Sequence, residues 1–229
     1  DGYSAMIPLA IERLEVRYPG LPVPALDIPA LAIEPGAQVA LVGPSGSGKT
    51  TFINVATGME RVRTGKLAWA GDDLAAMSEG SRDRWRARNV GLVMQDFHLF
   101  PGLSALGNVL LPQRLSHFRL PEGARAFALD MLGRVGLERP DQPAETMSRG
   151  QMQRVAVARA LSGRPGIIVA DEPTASLDAD SGAAVADLII GLASEAGATL
   201  IVATHDARLI DSLDADSGAA VADLIIGLA

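Results

Sequence analysis

The octapeptide Gly43-Pro44-Ser45-Gly46-Ser47-Gly48-Lys49-Thr50 has the residue types needed to hold a chain of phosphates. Glycines let successive backbone N–H groups turn inward toward phosphate oxygens, and a helix starting at Lys49 adds the positive end of its dipole. In this G-x-x-x-x-G-K-[ST] pattern Lys49 reaches the β- and γ-phosphates and the Thr50 hydroxyl is a Mg²⁺ ligand, with Thr51 behind it on the same helix. Further along, Ile167-Ile168-Val169-Ala170-Asp171-Glu172 delivers two adjacent carboxylates at the end of an apolar run. That is the end at which α/β sheets present their ligands. Asp171 suits the Mg²⁺ side of such a site, through a water, and Glu172 suits the orientation or deprotonation of an attacking water. Alone, the first motif could be a flexible turn and the second a solvated strand end. Together they describe a nucleoside triphosphatase.

Three weaker signals accompany them. Met147-Ser148-Arg149-Gly150-Gln151 opens an apolar-periodic stretch, so Ser148 and the N–H groups near Gly150 read either as a second anion site or as an ordinary helix cap. Gln95 and His205 each follow a short apolar strand. At such places a polar residue is ordinarily just surface, but both strands would end beside the phosphate loop.

The elements that must position these groups follow from periodicity. Residues 7–18 and 25–33 read as strands of a small antiparallel sheet, joined through the Pro/Gly-rich segment 19–24. Apolar strands at 37–42, 66–69, 90–94, 167–170 and 199–203 alternate with helical patterns at 49–57, 104–115, 122–136, 150–162 and 180–196. This implies an α/β fold with a mostly parallel sheet covered on both faces. The helical block at about 96–163 reads as an insertion into that sheet, within a single domain spanning 1–229. Residues 212–229 repeat residues 176–193 letter for letter, an atypical tail with an apolar stripe at Val221, Leu224, Ile225 and Leu228.

Composition narrows the function. With 20 Lys and Arg against 27 Asp and Glu, the net charge is −7, which disfavours nucleic acid as a partner. The absence of cysteine excludes a disulfide scaffold and a thiol nucleophile. No apolar run reaches the roughly 20 residues of a membrane span and no signal-peptide layout opens the chain, so a soluble protein is expected.

The order Tyr18, GPSGSGKT, Gln95, MSRGQ, IIVADEP, SLD and THD resembles the ATP-binding subunit of an ATP-binding cassette (ABC) transporter. The resemblance covers residues 7 to about 210. It implies a P-loop fold with a RecA-like parallel core, an N-terminal antiparallel β subdomain and an inserted helical subdomain. It further implies that Tyr18 stacks on adenine, that Gln95 contacts Mg²⁺ or water and senses a membrane partner, and that His205 holds the γ-phosphate. Glu172, His205, Gln95 and Lys49 would then be the catalytic set and Thr50, Gln95 and Asp171 the metal set. Ser148, Gly150, Gln151 and Asp178 would serve the ATP of a second subunit in a head-to-tail homodimer, with ATP and Mg²⁺ as cofactors. The expected partner is an integral membrane permease, met at the inner face of the cell membrane by the apolar segment Phe97, Leu99, Phe100 and Leu103. The segment VMQDFHLFPGLSALGNVLLP resembles the branch serving lipoprotein release, macrolide export and cell division. Three departures stand out: Arg149 replaces the first glycine of the usual LSGGQ, Gly107 replaces a glutamate, and beyond Ile210 the duplicated segment replaces the family's terminal elements. Competing readings are a soluble non-transport ABC ATPase and a nucleotide-gated interaction module that closes without turnover.

Overall fold

The computed structural model describes residues 7–175 and 177–217. Ser176, and the tail stripe beyond residue 217, lie outside the described residues. In chain order the N-terminal half holds β1 (Leu9–Val16), β2 (Leu26–Ile33), β3 (Gln38–Leu41), α1 (Lys49–Ala56), β4 (Thr64–Trp69), β5 (Asp72–Asp73), α2 (Glu79–Asn89) and β6 (Val90–Val93). After it come α3 (Ala105–Ser116), α4 (Ala124–Arg134), a 3₁₀ turn (Ala144–Thr146), α5 (Arg149–Leu161), β7 (Ile167–Asp171), α6 (Ala179–Ala196), β8 (Thr199–Ala203) and α7 (Ala207–Ser217).

Two four-stranded sheets result. The first is antiparallel with order β2-β1-β4-β5. Leu9, Ile11, Leu14 and Val16 of β1 turn inward, and the break in that alternation is a bulge between Glu12 and Glu15. Arg13 takes a left-handed φ of 48° there, and Gly65 opposite is obligatory because a Cβ would sit 2.2 Å from the Arg13 carbonyl oxygen.

The second sheet is parallel with order β3-β8-β7-β6, and its strands are apolar on both faces, as a sheet covered on both sides requires. Ile168, Ala170, Leu200 and Val202 face a core shared with α3, α4, α5 and α6. Ile167, Val169, Ile201 and Ala203 face the other way, into a core shared with α1 and the antiparallel sheet. Phe52 and Ile53 of α1 are fully buried in that second core, each contributing about 1.5–3 kcal/mol. They fix the helix behind the phosphate loop between the two sheets.

Most expected elements are present within a residue or two. Helix α2 was not legible, because EGSRDRWRARN has no apolar stripe and buries only Arg82 and Trp85. Its arginines hold it in place: Arg82 Nε and Arg86 Nη1 donate to the Gly58 carbonyl at 3.4 and 3.0 Å, just past the C-terminus of α1. Among the described residues no helix is long and apolar enough to cross a membrane.

Candidate active site

Register brings the chemistry to one edge. Leu41 pairs with Ala203, Ala203 with Asp171, and Ala170 with Val93. The residues that follow these four strand ends are the 43–50 loop, His205, Glu172 and Gln95. Parallel strands all deliver their C-terminal ends to the same side, so four segments distant in sequence share one rim.

The loop is shaped as a cradle. Gly46 and Gly48 take φ values of 82° and 90°, conformations that glycine adopts without strain. A Cβ on Gly43 would lie 2.6 Å from Ser47 Oγ, so the loop closes on its own first glycine. Ser47 is buried, and its hydroxyl has no hydrogen-bond partner in the described structure. Lys49 Nζ lies along the loop, donating to the carbonyls of Gly43 (2.6 Å) and Pro44 (3.1 Å). Helix α1 starts with no side-chain cap and no acid in its first turn, leaving its first N–H groups free for an anion. Donors, cation and dipole converge on one point, which fits a triphosphate.

The carboxylates complete the set. Asp171 ends β7 half-buried, and its carboxyl is held above the ordinary carboxylate range, chiefly by burial and then by the neighbouring Glu172 charge. The Thr50 hydroxyl, hydrogen-bonded to it, and the Lys49 charge oppose that rise. Two adjacent acids, one desolvated and touching a hydroxyl, form a donor set suited to a hard cation such as Mg²⁺. Glu172 sits in a left-handed conformation (φ 46°), its N–H donating to the Ala203 carbonyl at 2.8 Å. A glutamate held in this region stores backbone strain of the kind found at functional sites. The conformation brings Glu172 Oε1 to 2.8 Å from Nδ1 of the exposed His205. Two residues 33 apart in sequence thus form one carboxylate–imidazole pair.

Tyr18 lies half-buried beside α1, its hydroxyl donating to Glu60 at 2.7 Å. Gln95 is exposed on the turn after β6. Ser148, Gly150, Gln151 and Asp178 make no hydrogen bond to the 43–50 loop. Ser148 instead caps α5, accepting from Gln151 N while the Gln151 side chain accepts from Ser148 N, a complete capping box. Asp178 caps α6 by accepting from Ser181 N at 3.0 Å, and that bond holds its carboxyl below the usual range. Within one chain the helix-cap alternative accounts for Ser148, and Asp178 is likewise a helix cap.

Arg149 stacks its guanidinium 5.4 Å from the centre of the Phe97 ring. From the far end of the same helix, Arg159 donates to the carbonyls of Phe97 and His98. Both loop residues have left-handed φ, 55° and 46°. Helix α5 therefore grips the segment just after Gln95 at two points.

The apolar segment of that loop divides. Phe97 is buried and Leu99 packs on the helical core, whereas Phe100 points outward, 54% exposed. The larger apolar opening lies elsewhere, in a groove of about 970 Å³ among α2, the end of α3, the start of α4 and the turn after α5. Arg84, Arg88, Leu115, Phe127 and Arg164 line it. No sequence motif marked this groove.

Residues 26–175 match the family described as ABC transporter. The chain is 41% identical over 181 residues to the lipoprotein-releasing system ATP-binding protein LolD of Pseudomonas fluorescens, covering 78% of this chain and 79% of that one. It is 43% identical over 182 residues to the ABC transporter ATP-binding protein YbbA of Escherichia coli K12, covering 78% of each. Among solved structures, a post-hydrolysis dimer of the ATP-binding cassette MJ0796 with ADP and Pi superposes with a TM-score of 0.79 at 33% identity, over 88% of this chain and 89% of that one. The cassette cbiO1 of Clostridium perfringens, part of the cbiONQ complex, gives 0.78 at 29% identity, over 90% and 81%. With these matches over most of its length, the chain belongs to the ABC transporter family as an ATP-binding, ATP-hydrolysing cassette.

Proposed function

We propose that this cassette works as one half of a head-to-tail dimer that closes around two ATP molecules and drives a separate membrane permease, as a peripheral subunit on the inner face of the membrane. The observation that carries the reading is the Glu172–His205 contact at the rim of the phosphate cradle. Lys49 and the N–H groups of α1 bind the β- and γ-phosphates, and Tyr18 stacks on the base. Thr50, Asp171 and Gln95 would hold Mg²⁺, which when bound would offset phosphate charge. Glu172 takes a proton from the water that attacks the γ-phosphorus, and the β,γ-bridging oxygen leaves with ADP. His205, anchored by Glu172, faces the departing phosphate.

The second subunit would supply Ser148, Gly150 and Gln151 at the start of its α5, and Asp178 near its α6, to the ATP held by the first. Each cap engages the N–H of the third helical residue, Gln151 or Ser181, so the N–H groups ahead of it would meet the anion. The groove beside α3 and α4 suits a short helix of a permease. Its lip carries Leu115, 77% exposed, and its lining mixes apolar side chains with arginines. The likeness to a lipoprotein-releasing cassette makes a lipidated protein or a lipid the substrate class we favour. Glu172→Gln should bind ATP normally, hydrolyse it roughly 10²-fold more slowly or worse, and accumulate as a dimer on size-exclusion chromatography with ATP. A variant that stays monomeric at saturating ATP refutes the sandwich.

A further inference from the structure

We propose that Glu60 is the positioning residue of the base platform: it holds the phenol of Tyr18 at a fixed height along α1 and thereby sets the distance between the base and the phosphate cradle. The inference deepens the reading of Tyr18 as the base-stacking residue and rests on it.

Tyr18 lies two residues beyond the end of β1, in a segment without regular structure. A ring there has no strand pairing to orient it. Its hydroxyl is held twice, once from the phosphate-loop helix and once from the turn just past its end. Thr51, in the first turn of α1, hydrogen-bonds the phenol. Glu60 accepts from it at 2.7 Å. Glu60 is itself tied to α1, since its backbone N–H donates to the Asn54 carbonyl at 2.9 Å. The ring is thus referenced to the start of α1 and to the turn just past its end. Because the N-terminus of α1 forms the cradle, base and phosphate sites share one rigid element.

The carboxylate has cations nearby, and it pairs with none of them among the described residues. Arg17, Arg61 and Arg63 line a small pocket with Glu60. Arg17 pairs instead with Glu15 at 2.7 Å, and among the described residues no ion pair joins Glu60 to any of the three arginines. A glutamate that passes over three nearby cations to accept from one phenol is placed for that phenol. A neutral tyrosine donor to an ionised carboxylate is also the stronger class of hydrogen bond.

The test is calorimetric titration of the full chain with Mg·ATP and, separately, with Mg·tripolyphosphate, which has the phosphates and no base. Glu60→Ala and Tyr18→Phe should each weaken ATP binding about fivefold, the effect of one hydrogen bond, and the double variant should be no weaker than either. Glu60→Gln, which still accepts from the phenol, should recover most of the loss. Tripolyphosphate affinity should stay within about twofold throughout, and in turnover KM should rise while kcat moves far less. Equal loss of tripolyphosphate binding would make Glu60 a support of the cradle and overturn the proposal. So would multiplicative effects in the double variant, or Glu60→Ala binding ATP normally while Tyr18→Ala does not. If Tyr18→Ala itself binds ATP like the native chain, the base-stacking reading fails, and the proposal with it.

Discussion

Asn108 is fully buried in the second turn of α3, yet its side chain serves the loop before the helix. Oδ1 accepts from Phe100 N at 2.7 Å, while Nδ2 lies within reach of the carbonyls of Phe100 (3.2 Å), Ser104 (3.2 Å) and Leu103 (3.4 Å). An amide nitrogen has two hydrogens, so at most two of the three carbonyls are served at once, and the site is worth about three hydrogen bonds. At roughly 1 kcal/mol net each, Asn108→Ala forfeits about 3 kcal/mol. The better helix propensity of alanine returns about 0.6 kcal/mol, leaving a net loss of roughly 2–3 kcal/mol. In a chain of this size that lowers Tm by about 4–12 °C, measurable by circular dichroism. Asn108→Asp separates the donors from the acceptor. It keeps the acceptor for Phe100 N but sets a buried carboxylate against carbonyl oxygens, which raises its pKa in the folded state. Stability of that variant is therefore present at low pH, where the acid is protonated and can donate one bond, and is lost as pH rises through the folded-state value. A Tm loss under about 2 °C for Asn108→Ala, or an Asn108→Asp variant whose stability does not fall between pH 5 and 8, refutes the assignment of this amide as the organiser of residues 100–104.

Asp171 is held above the ordinary carboxylate range by burial and by Glu172, so its ionised form destabilises the nucleotide-free fold at neutral pH. Asp171→Asn should melt higher than the native chain at pH 7 without nucleotide, should lose that advantage as pH falls toward 4, and should gain less stability from Mg·ATP; a lower melting point at pH 7 contradicts this. Arg149→Gly removes the cap on Phe97, and amide hydrogen exchange should quicken in residues 96–100 while the 43–50 loop is unaffected; unchanged exchange there refutes the grip by α5. Asp178→Ala removes an N-cap from α6 and should fray its first turn, whereas Asp178→Asn, which keeps the acceptor, should not; turnover that falls equally in both variants would instead point to the charge itself.

What the sequence made legible was whatever follows from local pattern. The four strands of the parallel sheet are short apolar runs, and the phosphate loop joins one of them to a helix, so rim and cradle could be placed before any coordinates. The antiparallel pairing of β1 and β2 was legible too, from alternation broken by a Pro/Gly-rich segment. Helix α2 was not, because it is held by guanidinium groups reaching the Gly58 carbonyl of another element, and no periodicity encodes that. Glu60, Asn108 and Arg159 escaped notice for the same reason: each acts on a backbone or side chain whose proximity is a product of the fold. The loop after Gln95 was legible as apolar but not as divided, since a residue's type does not say whether Phe97 or Phe100 turns inward.

The duplicated segment shows the limit most directly. Residues 176–181 and 212–217 share the letters SLDADS. In the first copy the Asp178 side chain caps α6, which starts only at Ala179. In the second, the backbone of Asp214 is already well inside α7, which began at Ala207. The difference lies upstream. The first copy follows the turn at Glu172 and Pro173, where positive φ at Glu172 and the proline ring keep the strand from running straight on into a helix, and its helix begins afresh behind the Asp178 cap. The second is preceded by Ala207-Arg208-Leu209-Ile210, whose Leu209 is buried against the parallel-sheet core, and the helix it nucleates runs through the same six residues. An aspartate is a cap only where a helix needs a beginning. Of the two identical segments, the one that follows β7 opens a helix, and the other lies within one.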